Sequence, residues 1–360
     1  MKTAKRIIKI VLVVLLALLL VVSGYLAYVA FSYTRIEDRQ RLSVEDGTSS
    51  DKVVRNELYT IVTQNFGFGA YTPDFTFFMD GGKQSRAASK ESVETHVNSA
   101  LNTIKEFNPD FALFQEVDTS STRSYHVNEK ETAQNAFSEY ASVFAVNYDS
   151  PFLFYPFVRP HGASRSGLLT VSSLTVESAL RRSLPVETGF TKLLDLDRCY
   201  SVTRIPVDNG KTLCLYDLHL SAYTSDGKIA DEQLEMLLAD MQQEYENGNY
   251  VVGGGDFNKD LLGNSGEIFG VSTEGYTWAQ PIKTELFEGK NLTMVAPLDE
   301  NDPQPSCRNA DAPYHEGQLL LTVDGFLVSD NVTVTGSLVY DTGFAYSDHQ
   351  PVVMTFTLEP

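Results

Sequence analysis

The stretch "VVGGGDFNKDL", residues 251–261, runs two apolar side chains into three glycines and then an acid, a ring and an amide. In a strand, side chains alternate between faces, so Asp256 and Asn258 leave the strand end on one side. A carboxylate and a carboxamide placed that way suit a water molecule held beside a phosphoryl oxygen. The same residue types also open turns. The surrounding sequence decides between these readings.

Upstream, Ala230, Leu234, Leu237, Leu238 and Met241 recur at helical spacing. An earlier helix is expected over 92–107, where Val93, Val97, Ala100, Leu101 and Ile104 share a face until Asn108-Pro109 ends it. Strand-like runs fall at 58–64, 141–147, 168–176 and 199–207. Others are "FALFQEVD", "TLCLYDLHL", "LLTVDGFLVS" and "VVMTFTL". Asn209-Gly210, between two of them, signals a hairpin. Many strands with few helices indicate an α/β chain of two packed sheets with helices outside.

Polar residues gather where these strands stop. Asn65 closes the first strand and Glu116 the second. Asp217 and His219 close "LYDLHL", Asp324 interrupts "LLTVDGFLV", and Asp348 and His349 stand just before the last strand. Singly, Asn65 can cap a turn, Glu116 can sit on a rim, and His219 can be a hydrogen-bonded core residue. Asp324 is harder to account for, because a buried carboxylate needs a partner. Together these residues point to a single site.

In chain order, "TQN", "FQE", "DLHL", "GGDFN", "VDGF" and "SDHQPV" resemble the endonuclease/exonuclease/phosphatase superfamily. This is the deoxyribonuclease-I-like group, which includes neutral sphingomyelinases and inositol phosphate phosphatases. The resemblance spans residues 57–358. It implies a four-layer α/β sandwich of two facing mixed β-sheets flanked by helices, and hydrolysis of phosphate esters.

Such hydrolysis is slow because water must attack an anion; a cation that spreads charge and a water aimed in line both help. Mg²⁺ takes oxygen ligands and keeps several waters; Mn²⁺ is the alternative ion. Glu116 and Asp348 are the expected carboxylate ligands, with Asn65 in support through its amide. Asp256 is expected to hold or deprotonate the water, and Asn258 to orient it or bind a phosphate oxygen. His349 would contact the phosphate, with Asp324 fixing its tautomer and keeping it protonated. His219 would donate to a non-bridging oxygen. Arg308, in "SCR", is a candidate phosphate clamp. Asp256 and His349 both remain open as the base, and Asp217 is given a supporting role.

The 360 residues are 42% hydrophobic, with a formal net charge of −19. So acidic a domain repels polyanions at long range, which counts against broad electrostatic capture of nucleic acid. A metal ion can still invert the sign locally. Cys199, Cys214 and Cys307 form no metal-ligand spacing and read as buried thiols.

Residues 10–31 carry no charge and are long enough to cross a bilayer as a helix. The expected organisation is a membrane anchor at 1–35, a polar linker at 36–56 and the catalytic domain at 57–360. The basic flank "MKTAKRIIK" stays cytoplasmic and places the domain outside, single-pass in the cell membrane. Near the expected site, Phe75, Phe77, Phe78 and Met79 form either a loop packed on its own core or a lip for a lipid or base. Arg181 and Arg182 read as surface residues. The expected function is a divalent-metal-dependent phosphodiesterase or phosphatase tethered to the outer face of a membrane. The alternatives are a nuclease and a catalytically inactive binding module of the same fold.

Overall fold

A computed structural model describes residues 2–187, 197–222, 228–276 and 278–360. Two seven-stranded mixed sheets face each other. The first runs β15 (Val332–Val339), β16 (Val352–Leu358), β3 (Tyr59–Asn65), β4 (Phe111–Asp118), β6 (Gly162–Ser172), β5 (Ala141–Leu153), β2 (Val44–Glu45). The second runs β1 (Gln40–Leu42), β7 (Ser178–Ser183), β8 (Cys199–Pro206), β9 (Thr212–His219), β10 (Tyr250–Asp256), β14 (Asp324–Ser329), β11 (Leu292–Val295). Among the described strands, only β3 with β4 and β9 with β10 pair in parallel. β12 (Cys307–Arg308) and β13 (Leu320–Leu321) form a small separate ladder.

Between the sheets lies one core, with Ile61, Leu113, Val143 and Met354 meeting Ile205, Leu215, Val252 and Phe326. Helix α2 (Lys90–Glu106) and α3 (Glu129–Ala136) cover the outer face of the first sheet. Helix α4 (Lys228–Glu246) covers the second. This is the four-layer sandwich. α2 starts where the Ser89 side chain accepts from the Ser92 N–H at 3.1 Å, a side-chain cap. It buries the five apolar residues its spacing marks; each of the four larger side chains, Val93, Val97, Leu101 and Ile104, contributes roughly 1.5–3 kcal/mol. α4 likewise buries Ala230, Leu234, Leu237, Leu238 and Met241. The Asn209-Gly210 turn joins β8 to β9, with Gly210 at φ +81°.

The N-terminal helix α1 (Lys2–Ser32) is long and apolar enough to cross a membrane. Its most apolar 18-residue window has mean hydropathy 3.0 and none of it is buried. At 1.5 Å per residue such a helix is about 46 Å long, more than the ~30 Å of a hydrocarbon core.

Residues 36–56, expected as a linker, do not hang free. β1 pairs with β7 at the edge of one sheet and β2 with β5 at the edge of the other. Val53 is fully buried and bridges Val207. The polar side chains that suggested a linker are exposed, while the backbone completes both sheet edges. Arg181 also differs from the surface reading: it is buried, donating to Val146 O, Asp197 O and Ser183 Oγ. Cys199, Cys214 and Cys307 are free and buried, as expected.

Candidate active site

Strand ends from both sheets meet at one end of the sandwich. In the second sheet, Asp256 sits in register with His219 on one side and Asp324 on the other. Asp324 opens β14 rather than interrupting a strand. In the first sheet, Asn65 ends β3 beside Gln115 of β4. Asn65 Nδ2 reaches across the gap and donates to Asp256 Oδ2 at 3.1 Å. One layer deeper, Gln115 Nε2 donates to Asp217 Oδ1 at 2.8 Å. Burial raises the Asp217 carboxyl well above its ordinary range. Asp217 therefore joins the sheets beneath the site.

The structure shows the turn in the 251–261 stretch. Asp256 Oδ1 accepts the Asn258 N–H at 2.8 Å, which makes a turn. Its other oxygen faces His219 Nε2 at 3.4 Å and His349 Nε2 at 3.7 Å. Asn258 lies past the strand end, so alternation does not place it. It is left-handed, at φ +49°, and its side chain donates to Leu220 O at 2.8 Å. Gly255 explains part of the glycine run. At φ +145°, a Cβ there would stand 2.0 Å from Leu218 O, so only glycine lets β10 lie this close to β9.

Glu116 reaches the site through a bulge. Gln115 faces the opposite sheet, so regular alternation would turn Glu116 away from it. The register shifts between Phe114 and Val117, and Glu116 adopts φ +53°. A bulge of this kind re-aims a side chain. Glu116 then lines a cavity of about 70 Å³ together with His219, Asp256, Asn258, Asp348 and His349. Seven of the eight expected catalytic and metal-binding residues are thus gathered around one cavity or, for Asn65, bonded to a residue that lines it; the eighth, Asp324, stands behind His349. His349 Nδ1 is 2.9 Å from Asp324 Oδ2, and Ser306 Oγ donates to the same oxygen at 2.7 Å.

The electrostatics separate the two histidines. Burial drives His219 well below its ordinary value, and Arg198, His349 and Arg123 add to the effect, so the ring is neutral. Burial also opposes charge on His349. Asp324, Cys307 and Asp256 outweigh it and hold that imidazole well above its ordinary value, protonated. Burial pushes Asp256 up to about 7 against the pull of His349, with Asp324 adding to the rise. Asp348 is also pushed up to about 7 by burial; His349 and Arg308 oppose this, while Glu116 and Asp80 reinforce it.

Arg308 does not present a free fork to the cavity. It is buried and donates to Asn309 O, Thr72 O and Phe75 O, tying the 72–75 loop to the cavity wall. Its Nε alone lacks a hydrogen-bond partner. One arginine that sequence reasoning missed is Arg123. It clamps Asp118 from two nitrogens, at 3.1 and 2.9 Å, and stands 3.7 Å from Glu116 Oε2. Its guanidinium lies over the Phe68 ring at 4.1 Å. Asp118 is five residues away along an irregular loop, a spacing with no periodic signal. Arg198 and Asp80, which also line the cavity, were missed for the same reason. Of the apolar loop, Phe75 and Phe77 are buried in the core, while Phe78 and Met79 are partly buried against it.

The donor set fits a divalent cation. Glu116, Asp348 and Asp80 bring three carboxylates to one small cavity. Hard oxygen donors of this kind suit Mg²⁺ or a similar ion. Asp256, Asp324 and His349 also have potential ligand atoms within 4.8 Å of one another. There, however, His349 is already paired with Asp324, so the trio reads as an acid–imidazolium pair beside a second carboxylate. A hollow of about 560 Å³ lies to one side, beyond Trp278, which lines both spaces. None of the expected catalytic residues lines it.

No curated protein sequence matches the chain. Solved structures do. The endonuclease/exonuclease/phosphatase from Beutenbergia cavernae DSM 12333 superposes with TM-score 0.60 at 15% identity, covering 84% of this chain and 72% of that one. The human Nocturnin catalytic domain with bound sulfate anion gives 0.53 at 18%, covering 89% and 97%. ANGEL2, a 2′,3′-cyclic phosphatase, gives 0.53 at 15%, covering 89% and 99%. At these identities the likeness speaks for the fold. The model of the endonuclease/exonuclease/phosphatase family matches residues 68–349, from the loop after Asn65 to His349 itself, and the chain therefore belongs to that family.

Proposed function

We propose that this chain is a hydrolase of phosphate ester bonds that depends on Mg²⁺ or Mn²⁺ and is tethered through α1 with its domain outside the cytoplasm. Members of its family act on phosphoester bonds, and a 2′,3′-cyclic phosphatase shares its fold. The observation that carries the reading is the pairing of a protonated His349 with a carboxylate, Asp256, at 3.7 Å in a cavity also lined by Glu116 and Asp348.

Glu116 and Asp348, with the Asn65 amide alongside, would hold the cation. When bound there, it would neutralise charge on the phosphoryl oxygens. Asp256 takes the proton of the attacking water through Oδ2, the oxygen that faces the cavity. Asn258 fixes the other oxygen through its backbone N–H. His349, kept cationic by Asp324, binds a non-bridging oxygen. His219, kept neutral, contributes one N–H as charge builds. Arg123 holds Glu116 in the bulge, and Arg308 sets the cavity wall. The acidity of the domain favours a compact phosphoester over a long duplex. The basic residues before the apolar run favour an outer-face domain.

The test is hydrolysis of bis(p-nitrophenyl) phosphate by the full chain, with Mg²⁺ and with EDTA, beside Glu116→Gln. Turnover with Mg²⁺, lost in EDTA and lost in a folded Glu116→Gln protein, supports the reading. Undiminished turnover in that variant refutes the metal assignment.

A further inference from the structure

The segment "SPFLFYPFVRP", residues 150–160, carries no charge before Arg159. It begins at the end of β5 and turns back before β6. Phe154 is 51% exposed, Tyr155 60%, Phe157 74% and Val158 fully exposed. Among the described residues of the domain, no other segment exposes more than two large apolar side chains. A contiguous patch of this kind marks an interaction surface.

Its place in the fold identifies what covers it. Tyr25 and Tyr28 lie near the C-terminal end of α1, inside the apolar run 10–31. Tyr25 Oη donates to Phe152 O at 3.2 Å and accepts the Phe154 N–H at 3.0 Å. Tyr28 Oη accepts the Phe152 N–H at 3.2 Å. Tyr25 is six residues short of Phe31, about 9 Å along the helix axis. Whatever depth the end of α1 occupies, the loop backbone is bonded to it there. These bonds also satisfy peptide groups that hydrocarbon could not. Two tyrosines at a helix end beside a Phe-rich loop match the aromatic layer at membrane interfaces. From the loop, Tyr155 packs on Phe78 and Phe78 on His161, each pair with ring centroids 5.8 Å apart. His161 lines a cavity of about 90 Å³ with Glu116, Arg123 and His219, so the patch is continuous with the candidate active site.

The geometry points to a second membrane contact. The 152–158 loop enters the headgroup boundary of the leaflet where α1 ends, and turns the catalytic cavity toward phosphoesters held at that bilayer surface. This rests on α1 being a membrane anchor.

The experiment uses the full chain in phosphatidylcholine vesicles. An environment-sensitive fluorophore is placed on Val158→Cys, and in a second sample on Leu20→Cys inside α1. The three native cysteines are buried and stay unlabelled in the folded protein. The expected result at 158 is blue-shifted emission quenched at least twofold by phospholipid spin-labelled near the headgroup. Blue-shifted emission at 20 with water-like, unquenched emission at 158 overturns the loop contact and leaves the anchor standing. Water-like emission at both positions overturns the anchor and the loop contact with it. Blue-shifted but unquenched emission at 158 shows protein covering the patch, a second copy or another chain, and also overturns the proposal.

Discussion

Asp324 Oδ2 accepts two hydrogen bonds, from His349 Nδ1 at 2.9 Å and from Ser306 Oγ at 2.7 Å, with all three side chains buried. Ser306 also accepts the Asp324 N–H at 3.0 Å, so the carboxylate cannot swing away from the ring. Removing its charge while keeping its shape isolates its effect on His349.

In Asp324→Asn, His349 loses the strongest influence holding it protonated, while burial, which favours the neutral ring, remains. The imidazole should then titrate at or below neutrality. In the parent, activity should rise to a plateau as Asp256 ionises near 7; in the variant it should fall again on the alkaline side as His349 loses its proton. At pH 8 the loss should be about 10²–10⁴-fold, the usual weight of one positioned proton-transfer or charge-stabilising group. The kcat/KM–pH profile measures this; parallel profiles for parent and variant would make Asp324 merely structural.

Asp256 gives a stability signature of opposite sense to its activity. Its carboxyl is held near 7, chiefly by burial, rather than at the ordinary 3.8. A carboxyl raised on folding stabilises the native state while protonated, and that stability is lost as pH rises from about 4 through 7. Asp256→Asn has no charge to bury. In EDTA at pH 8 it should be more stable than the parent by up to about 4 kcal/mol, yet hydrolyse phosphodiesters at least ~10²-fold more slowly with Mg²⁺. Thermal melts at pH 5 and pH 8 should show a clearly larger gain at the higher pH. A variant less stable at pH 8 means that Asn65 and His349 compensate the carboxylate fully.

The sequence made the meeting of residues legible, because an acid, amide or histidine at the end of an apolar run needs a polar destination. Six separated segments each offered one. α2 and α4 were legible because burial repeats with the helical period. What escaped depends on backbone conformation. Glu116 enters the site only through a left-handed bulge, and Asn258 only through a left-handed residue past the strand. Arg123 acts from an irregular loop. β1 and β2 are polar segments recruited by their peptide groups, which composition does not report. Arg181 is buried because carbonyls from three segments converge on it, a long-range arrangement invisible locally. The apolar 152–158 loop is told apart from buried sequence only by its exposure.

The bulge at Glu116 predicts separation of stability from activity at one position. A non-glycine residue at φ +53° carries backbone strain of roughly 1–2 kcal/mol. Glu116→Gly relieves that strain, partly offset by the flexibility glycine gives the unfolded chain. The variant should melt within about 1 kcal/mol of the parent or above it, while losing EDTA-sensitive hydrolysis as completely as Glu116→Gln. Chemical denaturation beside Mg²⁺ titration separates the two quantities. A large stability loss in Glu116→Gly would assign the residue mainly to holding Arg123.

Gly67 tests the metal assignment without replacing a ligand. It follows Asn65, whose Oδ1 accepts the Gly67 N–H at 2.9 Å, and it is left-handed at φ +53°. A Cβ here would lie 2.9 Å from Asp348 Oδ1 and 2.7 Å from the Tyr71 ring. Gly67→Ala must therefore push the Asp348 carboxylate or the ring aside, and adds strain of about 1 kcal/mol or more to the fold. If Asp348 holds the cation, displacing it by a few tenths of an ångström weakens Mg²⁺ binding before it affects proton transfer at Asp256. The Mg²⁺ concentration for half-maximal activity should rise at least tenfold, with most of kcat recovered at saturating Mg²⁺. A fall in kcat with unchanged Mg²⁺ dependence would move Asp348 from the metal to the phosphate or to the fold.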